Sequence, residues 1–346
     1  MKKILAIVLT LIMMLAVVAC GGDKKDTTEP ADEKEEVAEE AADSDEDFEK
    51  DSTEKKEEGE QLTIGYACKD INDTFQNYLI DAAQEYCDAN NIKLEVTDAQ
   101  NDVIKQQDQV NNFIMKGVDA IIVLPIDSSA MQPITDAAKE ADVPLVYCNT
   151  APYPADQFPE GTYYVGSIER EAGEMQAEYI GAQLKENAKV CILQGSLGHE
   201  GALERTAGVE EKLKELYPTI EVIAVQPADW QKDEALTVTE NWLTTFDNDV
   251  DAIFANNDEM ALGAVNALKA AGIEDCLVAG IDGTKDGIAA IKDGGLACSV
   301  FQDAAGQGAG ACELAAKIVR EGGVEEDIVW VPFQLIKPDN VDDFNQ

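Results

Sequence analysis

A single histidine, His199, in 346 residues leaves this chain poor in groups that titrate near neutrality and in metal ligands. No CxxC pair occurs, and seven cysteines follow Cys20: Cys68, Cys87, Cys148, Cys191, Cys276, Cys298 and Cys312. An odd count, set mostly inside apolar runs, argues against a disulfide framework or zinc site and for buried free thiols. No G-x-x-x-x-G-K-[ST] is present to cradle phosphate. No G-x-S-x-G elbow presents a nucleophile either, since Ser196 sits in QGSLG, out of that frame. Positive charge is scarce as well: 26 Lys and Arg against 69 Asp and Glu give a formal net charge of −43. That balance excludes nucleic acid and anionic lipid surfaces as partners of the folded part.

What is present begins with Lys2 and Lys3, followed by the apolar run ILAIVLTLIMMLAVVA over 4–19. This has signal-peptide form. The closing Val17-Val18-Ala19-Cys20 resembles the lipobox of bacterial lipoproteins, which implies that 1–19 are removed and Cys20 carries lipid. The alternative is an uncleaved anchor, although 16 apolar residues fall short of the ~20 that span a bilayer. Residues 23–60 carry 19 Asp and Glu against 6 Lys and almost no large apolar side chains. Such a stretch cannot bury enough surface to offset its chain entropy, so 20–60 is expected to be a disordered tether, about 35 Å in root-mean-square span.

From residue 61 the pattern changes. Ten short apolar runs read as strands: 62–67, 93–99, 120–125, 144–148, 162–166, 189–195, 220–226, 252–256, 277–281 and 297–301. Between most of them lie 12–20 residues with helical apolar spacing, such as Phe75, Leu79, Ala82, Ala83 and Tyr86. Strands apolar on both faces and separated by helices indicate parallel sheets covered on both sides by right-handed crossovers. A Pro-rich break, TAPYPADQFPEG over 150–161, divides the strands. The expected fold class is therefore α/β: two three-layer α/β/α Rossmann-like lobes joined by a hinge.

In open parallel sheets, ligands bind beyond the carboxyl ends of the strands. The residues that follow each strand are Asp73 and Phe75, Asn149, His199 and Arg205, Trp230, Asn257, Asp282 and Gln302. Lys69, Gln76 and Glu200, close beside them, complete the candidate set. Carboxylates and amides accept from vicinal hydroxyls, arginine donates a planar fork, and aromatic faces cover apolar C–H patches. Taken one at a time these residues have plainer readings: a turn for Asp282, a helix cap for Asn257, core for Phe75 and Trp230. His199 reads as a hydrogen-bond donor to a hydroxyl, or as a general base if the chain were an enzyme, with Asp73 and Asp282 then a candidate carboxylate pair.

NDTF (72–75), DAQND (98–102), LVYCN (145–149), GHEGALER (198–205), QPADW (226–230), FANNDEMALGA (254–264) and GIDGTKDG (280–287) occur in one order. That order resembles the type I periplasmic-binding-protein family, in particular the ribose and glucose/galactose receptors of ABC importers. The resemblance implies no enzymatic activity and no cofactor. It implies an N-terminal lobe of 61–165 plus 303–331 and a C-terminal lobe of 166–302 plus 332–346. It also implies a monosaccharide ligand, D-glucose or D-galactose by the match of Asp73, Phe75, Asn149, His199, Arg205, Trp230, Asn257 and Asp282. Ribose, xylose and autoinducer-type furanosides are the alternatives. Gly201 stands where the hexose receptors have an acidic residue, and Gln302 where they have Asn. GAQLKENAK offers no DxNxDG calcium loop, so no metal is expected. The implied partners are the transmembrane subunits of an ABC permease, with a chemoreceptor or kinase as the alternative. The expected receptor is an extracytoplasmic monomer held to the membrane by its lipid.

Overall fold

A computed structural model describes residues 59–344; the leader, Cys20 and the tether up to residue 58 lie outside the described residues. The first half runs β1 (Leu62–Cys68), α1 (Thr74–Ala89), β2 (Ile92–Asp98), α2 (Val103–Lys116), β3 (Ala120–Val123), α3 (Gln132–Glu140), β4 (Leu145–Asn149) and β5 (Thr162–Gly166). It continues with α4 (Glu169–Gly181), β6 (Lys189–Gln194), α5 (Glu200–Leu216), β7 (Glu221–Pro227), α6 (Lys232–Thr245), β8 (Ala252–Ala255), α7 (Asp258–Ala271) and β9 (Leu277–Asp282). The last elements are α8 (Lys285–Lys292), β10 (Cys298–Phe301), α9 (Ala304–Glu321), β11 (Ile328–Trp330) and β12 (Gln334–Ile336).

These strands form two six-stranded sheets, ordered β11-β5-β4-β3-β1-β2 and β12-β10-β9-β8-β6-β7. All ten strands expected from apolar runs are present. Their burial explains their legibility: every residue of β3, β4 and β8 is buried, as a strand covered on both faces must be. Two strands carried no such signal. β11 and β12 are three residues each, and β11 exposes Val329 and Trp330. The second sheet also departs from a wholly parallel one, because β12 pairs antiparallel with β10 at its edge.

Helices cover both faces of each sheet. In the first lobe, α1 and α9 close one face over Ile64, Tyr66, Leu79, Val146 and Cys312. On the other face α2 and α3 pack Phe113 and Ile134 against Ile121, Val123 and Tyr147. In the second lobe, α6, α7 and α8 bury Trp242, Met260 and Ile288 on one side, while α4 and α5 bury Ile180 and Val209 on the other. Each such side chain contributes about 1.5–3 kcal/mol by leaving water, so rigid lobes follow from the pattern itself.

The chain passes between lobes after β5, after β10 and after β11. These strands of chain are tied together at one place. Ser167 Oγ donates to Val331 O at 2.6 Å and accepts from Gln307 Nε2 at 2.9 Å, while Val331 N donates to Gly166 O at 2.8 Å. Among the described residues no helix is long and apolar enough to cross a membrane.

Candidate functional site

At the carboxyl ends of both sheets, facing each other across the gap between lobes, eleven side chains line one cavity: Lys69, Asp73, Phe75, Gln76, Asn149, His199, Arg205, Trp230, Asn257, Asp282 and Gln302. All but one of the twelve residues singled out from strand ends thus converge. The exception is Glu200, the first residue of α5, whose carboxyl turns back toward the Ala151 backbone N–H instead of into the cavity. The cavity is about 20 Å³, far below the ~300–1,000 Å³ of small-molecule sites. Entry of any ligand therefore requires the lobes or their side chains to move. A larger hollow of about 690 Å³ lies at the opposite, amino-terminal ends of β3 and β4, beside Asp119, Pro144 and Ile318. Volume alone does not mark a site; convergence of polar side chains does.

The first lobe supplies its groups from the turn after β1 and from the end of β4. Asp73 caps α1, its Oδ1 accepting from Gln76 N at 3.0 Å, and its other oxygen stands 4.0 Å from Lys69 Nζ. Asn149 ends β4 with a left-handed backbone, φ 69°, and its Nδ2 donates to Gln307 Oε1 at 3.0 Å. Trp230 and Asp282 are likewise held at positive φ, 66° and 119°. Non-glycine residues there store roughly 1–3 kcal/mol each, strain that clusters where side chains must be aimed. Three such residues in one lining point to orientation being selected over stability.

In the second lobe Arg205 is the hub. Its Nε donates to Glu169, its Nη1 to Asn256 O at 2.7 Å and its Nη2 to Gln302 Oε1 at 3.1 Å, and Asp282 Oδ1 stands 3.7 Å away. Burial pushes the Asp282 carboxyl well above the usual carboxylate range; Arg205 opposes that shift, while Asp258 and Asp73 add to it. The strand-end rule missed Glu169 and Asp258, which act from behind the lining. Asp258 accepts from Thr284 N and Oγ1 at 2.8 and 3.0 Å and from Ser299 Oγ at 2.7 Å, fixing the turn that carries Asp282. In sequence both read as ordinary acids in the first turn of a helix, the placement the dipole favours. Their burial was the missing signal.

The plainer reading of Asn257 is realised in part. It caps α7, accepting from Met260 N at 2.9 Å, while it also faces the cavity. His199 lines the cavity and has partners of its own. It caps α5, its Nδ1 accepts from Gly201 N at 3.1 Å, and its Nε2 meets Thr150 Oγ1 at 3.0 Å. Both ring nitrogens are therefore engaged within the protein. Desolvation, with Lys69 and Arg205 nearby, holds the imidazole well below its ordinary pKa. The ring is neutral, and it stands edge-on to Trp230 at 4.9 Å between centroids. The indole lies against Gly195, where a Cβ would approach its Cζ2 to 2.1 Å. The close approach allowed by this loop's glycine serves Trp230 packing.

Two three-layer lobes that present strand-end polar groups to a shared cleft define a bilobal binding protein. His199 is not placed as a general base here, because both of its ring nitrogens are engaged within the protein. The comparisons make the class specific: residues 64–323 match the periplasmic binding protein domain. The chain belongs to the periplasmic binding protein family, type I, of the ribose/galactose subgroup. It is similar to a protein named for rhizopine binding in Rhizobium meliloti, with 38% identity covering 82% of this chain and 92% of that one. It is 35% identical to a ribose import binding protein of Bacillus subtilis, covering 78% and 85%. Among solved structures it is similar to an ABC transporter solute-binding protein of Bacillus halodurans with bound myo-inositol. That match is 35% identical, has a TM-score of 0.76, and covers 82% of this chain and 96% of the other. These relatives are named as binding proteins, not enzymes, and for different ligands.

Proposed function

We propose that this chain is the extracytoplasmic receptor of an ABC importer, anchored through Cys20, and that it closes on a neutral polyhydroxylated ring of hexose size. The observation that carries this reading is the composition of the lining. Its two cations, Lys69 and Arg205, are matched by Asp73 and Asp282, with Glu169 pairing Arg205 from behind. No unmatched cation calls for an anionic ligand. The remaining amides, carboxyls and rings suit hydroxyls and C–H faces. Closure would be by hinge motion at the segments near Ser167, Asp303 and Val331, with contacts from both lobes favouring the closed state.

D-Glucose and D-galactose are the sugars that the residue pattern implies. A cyclitol is a second reading, favoured by the myo-inositol in the Bacillus halodurans structure. A thermal-shift panel of glucose, galactose, ribose, xylose, xylitol and myo-inositol tests both, with amino acids and dicarboxylates as controls. Ligand at 100 times its Kd adds about 2.7 kcal/mol of stability, and at roughly 2–4 °C per kcal/mol for a chain of this size the shift is readily seen. A response confined to charged solutes would overturn the reading.

A further inference from the structure

We infer that the turn Gly198–Glu200 is a closure latch, fastening the second lobe to the first through hydrogen bonds in which no ligand takes part. Three such bonds cross the gap side by side. Ser128 N donates to Gly198 O at 3.3 Å, and Glu200 N donates to Ser128 Oγ at 3.3 Å. His199 Nε2 meets Thr150 Oγ1 at 3.0 Å, both residues being buried.

The direction of the last bond follows from the first nitrogen. Nδ1 accepts from Gly201 N, so a neutral ring carries its proton on Nε2 and donates it to Thr150. Local geometry aims both partners. Asn149 turns through its left-handed φ toward Gln307, which leaves Thr150, the next residue, facing the other lobe. Gly198 has φ 86°, and a Cβ on it would stand 3.0 Å from Asp127 Oδ2, so a side chain there would wedge the seam apart. Thr150, Ser128 and Ala151 are absent from the cavity lining. The latch therefore sets the balance between open and closed states, while the lining sets which ligand is held. Thr150 is a positioning residue in this sense.

This inference uses the closing motion of the proposed receptor but not the identity of its ligand. Thr150→Val keeps the side-chain shape and removes the acceptor; Thr150→Ser restores it, and Ser128→Ala removes the neighbouring one. Two readouts separate the latch from the ligand reading. Hydrogen exchange on the ligand-free protein reports the amides of Ser128 and Glu200, which should be protected in the wild type and exchange faster in Thr150→Val. Calorimetry with two ligands from the panel should then show Kd raised by about threefold to tenfold, the worth of one hydrogen bond, and by the same factor for both. Factors that differ between ligands would make Thr150 a ligand contact and overturn the latch. So would wild-type amides already exchanging at the unprotected rate, or a Thr150→Val variant unchanged in exchange.

Discussion

The Lys69 ammonium, carried by the first lobe, stands 5.4 Å from the centroid of the Trp230 indole on the second. This cation–π contact crosses the cleft on the ring expected to stack on a sugar, so ligand and lysine compete for one aromatic surface. Trp230→Ala should lower ligand affinity by roughly 100-fold, since stacking and apolar contact on a partly buried indole are both lost. Lys69→Met frees the indole while keeping the chain length, and should cost less than Trp230→Ala. Calorimetry on both variants, with circular dichroism to establish folding, checks the order. An unchanged affinity in Trp230→Ala would sink the stacking assignment.

Glu169 pairs with Arg205 where both side chains are almost entirely buried, 2% and 6% exposed. Removing Glu169 strips the buried guanidinium of its bonded carboxylate and leaves it Asp282 at 3.7 Å, at a cost of up to about 3–5 kcal/mol. Glu169→Gln should therefore lower Tm by roughly 5–15 °C, although the residue is outside the cavity lining. Arg205→Lys should do the same and abolish binding, because an ammonium cannot serve Glu169, Asn256 O and Gln302 together. Thermal unfolding monitored by circular dichroism distinguishes a stability loss from a pure binding defect.

The strand-end argument located most of the lining because the topology does that work: each parallel strand delivers its following residue to the same side of the sheet. Asp73, Asn149, Trp230, Asn257, Asp282 and Gln302 were legible for this reason. Glu169 was not, because its role depends on α4 lying against α5, which no local pattern encodes. The partners of His199 were hidden for a related cause. Thr150 is 49 residues away on the other lobe, and the contact exists only when the lobes meet. β11 and β12 escaped because three residues are too few to show a period, and they are pinned by sheet edges formed elsewhere. Sequence thus showed what each strand end offers, while the arrangement between the lobes decided which atoms remained available.

The cysteines from Cys68 to Cys312 are buried except for Cys276, which is partly exposed. Burial raises the Cys191 and Cys276 thiols to about 12 and pushes Cys148 and Cys298 up further, so these four carry little thiolate at neutral pH. In the native protein, an aromatic disulfide reagent should titrate no more than about one of these thiols quickly, and all seven after unfolding in guanidinium. Fast reaction of several native thiols would contradict the packing of α1 and α9 on the first sheet.

The proposed closure should depend on pH through Glu200. In the closed arrangement burial pushes its carboxyl up to about 9; Glu169 adds to the rise, Arg205 opposes it and Glu204 adds a little more. In an open form with water at the seam the same group returns toward its ordinary value of about 4.3. The closed state then holds a proton that the open state lacks. Its advantage is full below about pH 4.3 and is lost as pH rises to about 9. His199 works the other way, since its lowered pKa favours closure above its ordinary value near 6.5 and opposes it below. Above that pH Glu200 acts alone of the two, and ligand affinity should fall as pH rises from 7 to 9. Calorimetry at pH 7.5 in buffers of different ionisation enthalpy should show net proton uptake on ligand binding. Glu200→Gln keeps the side-chain shape and cannot titrate, so it should bind without proton uptake and with a flat profile. Equal proton counts in wild type and variant would remove Glu200 from the closing equilibrium.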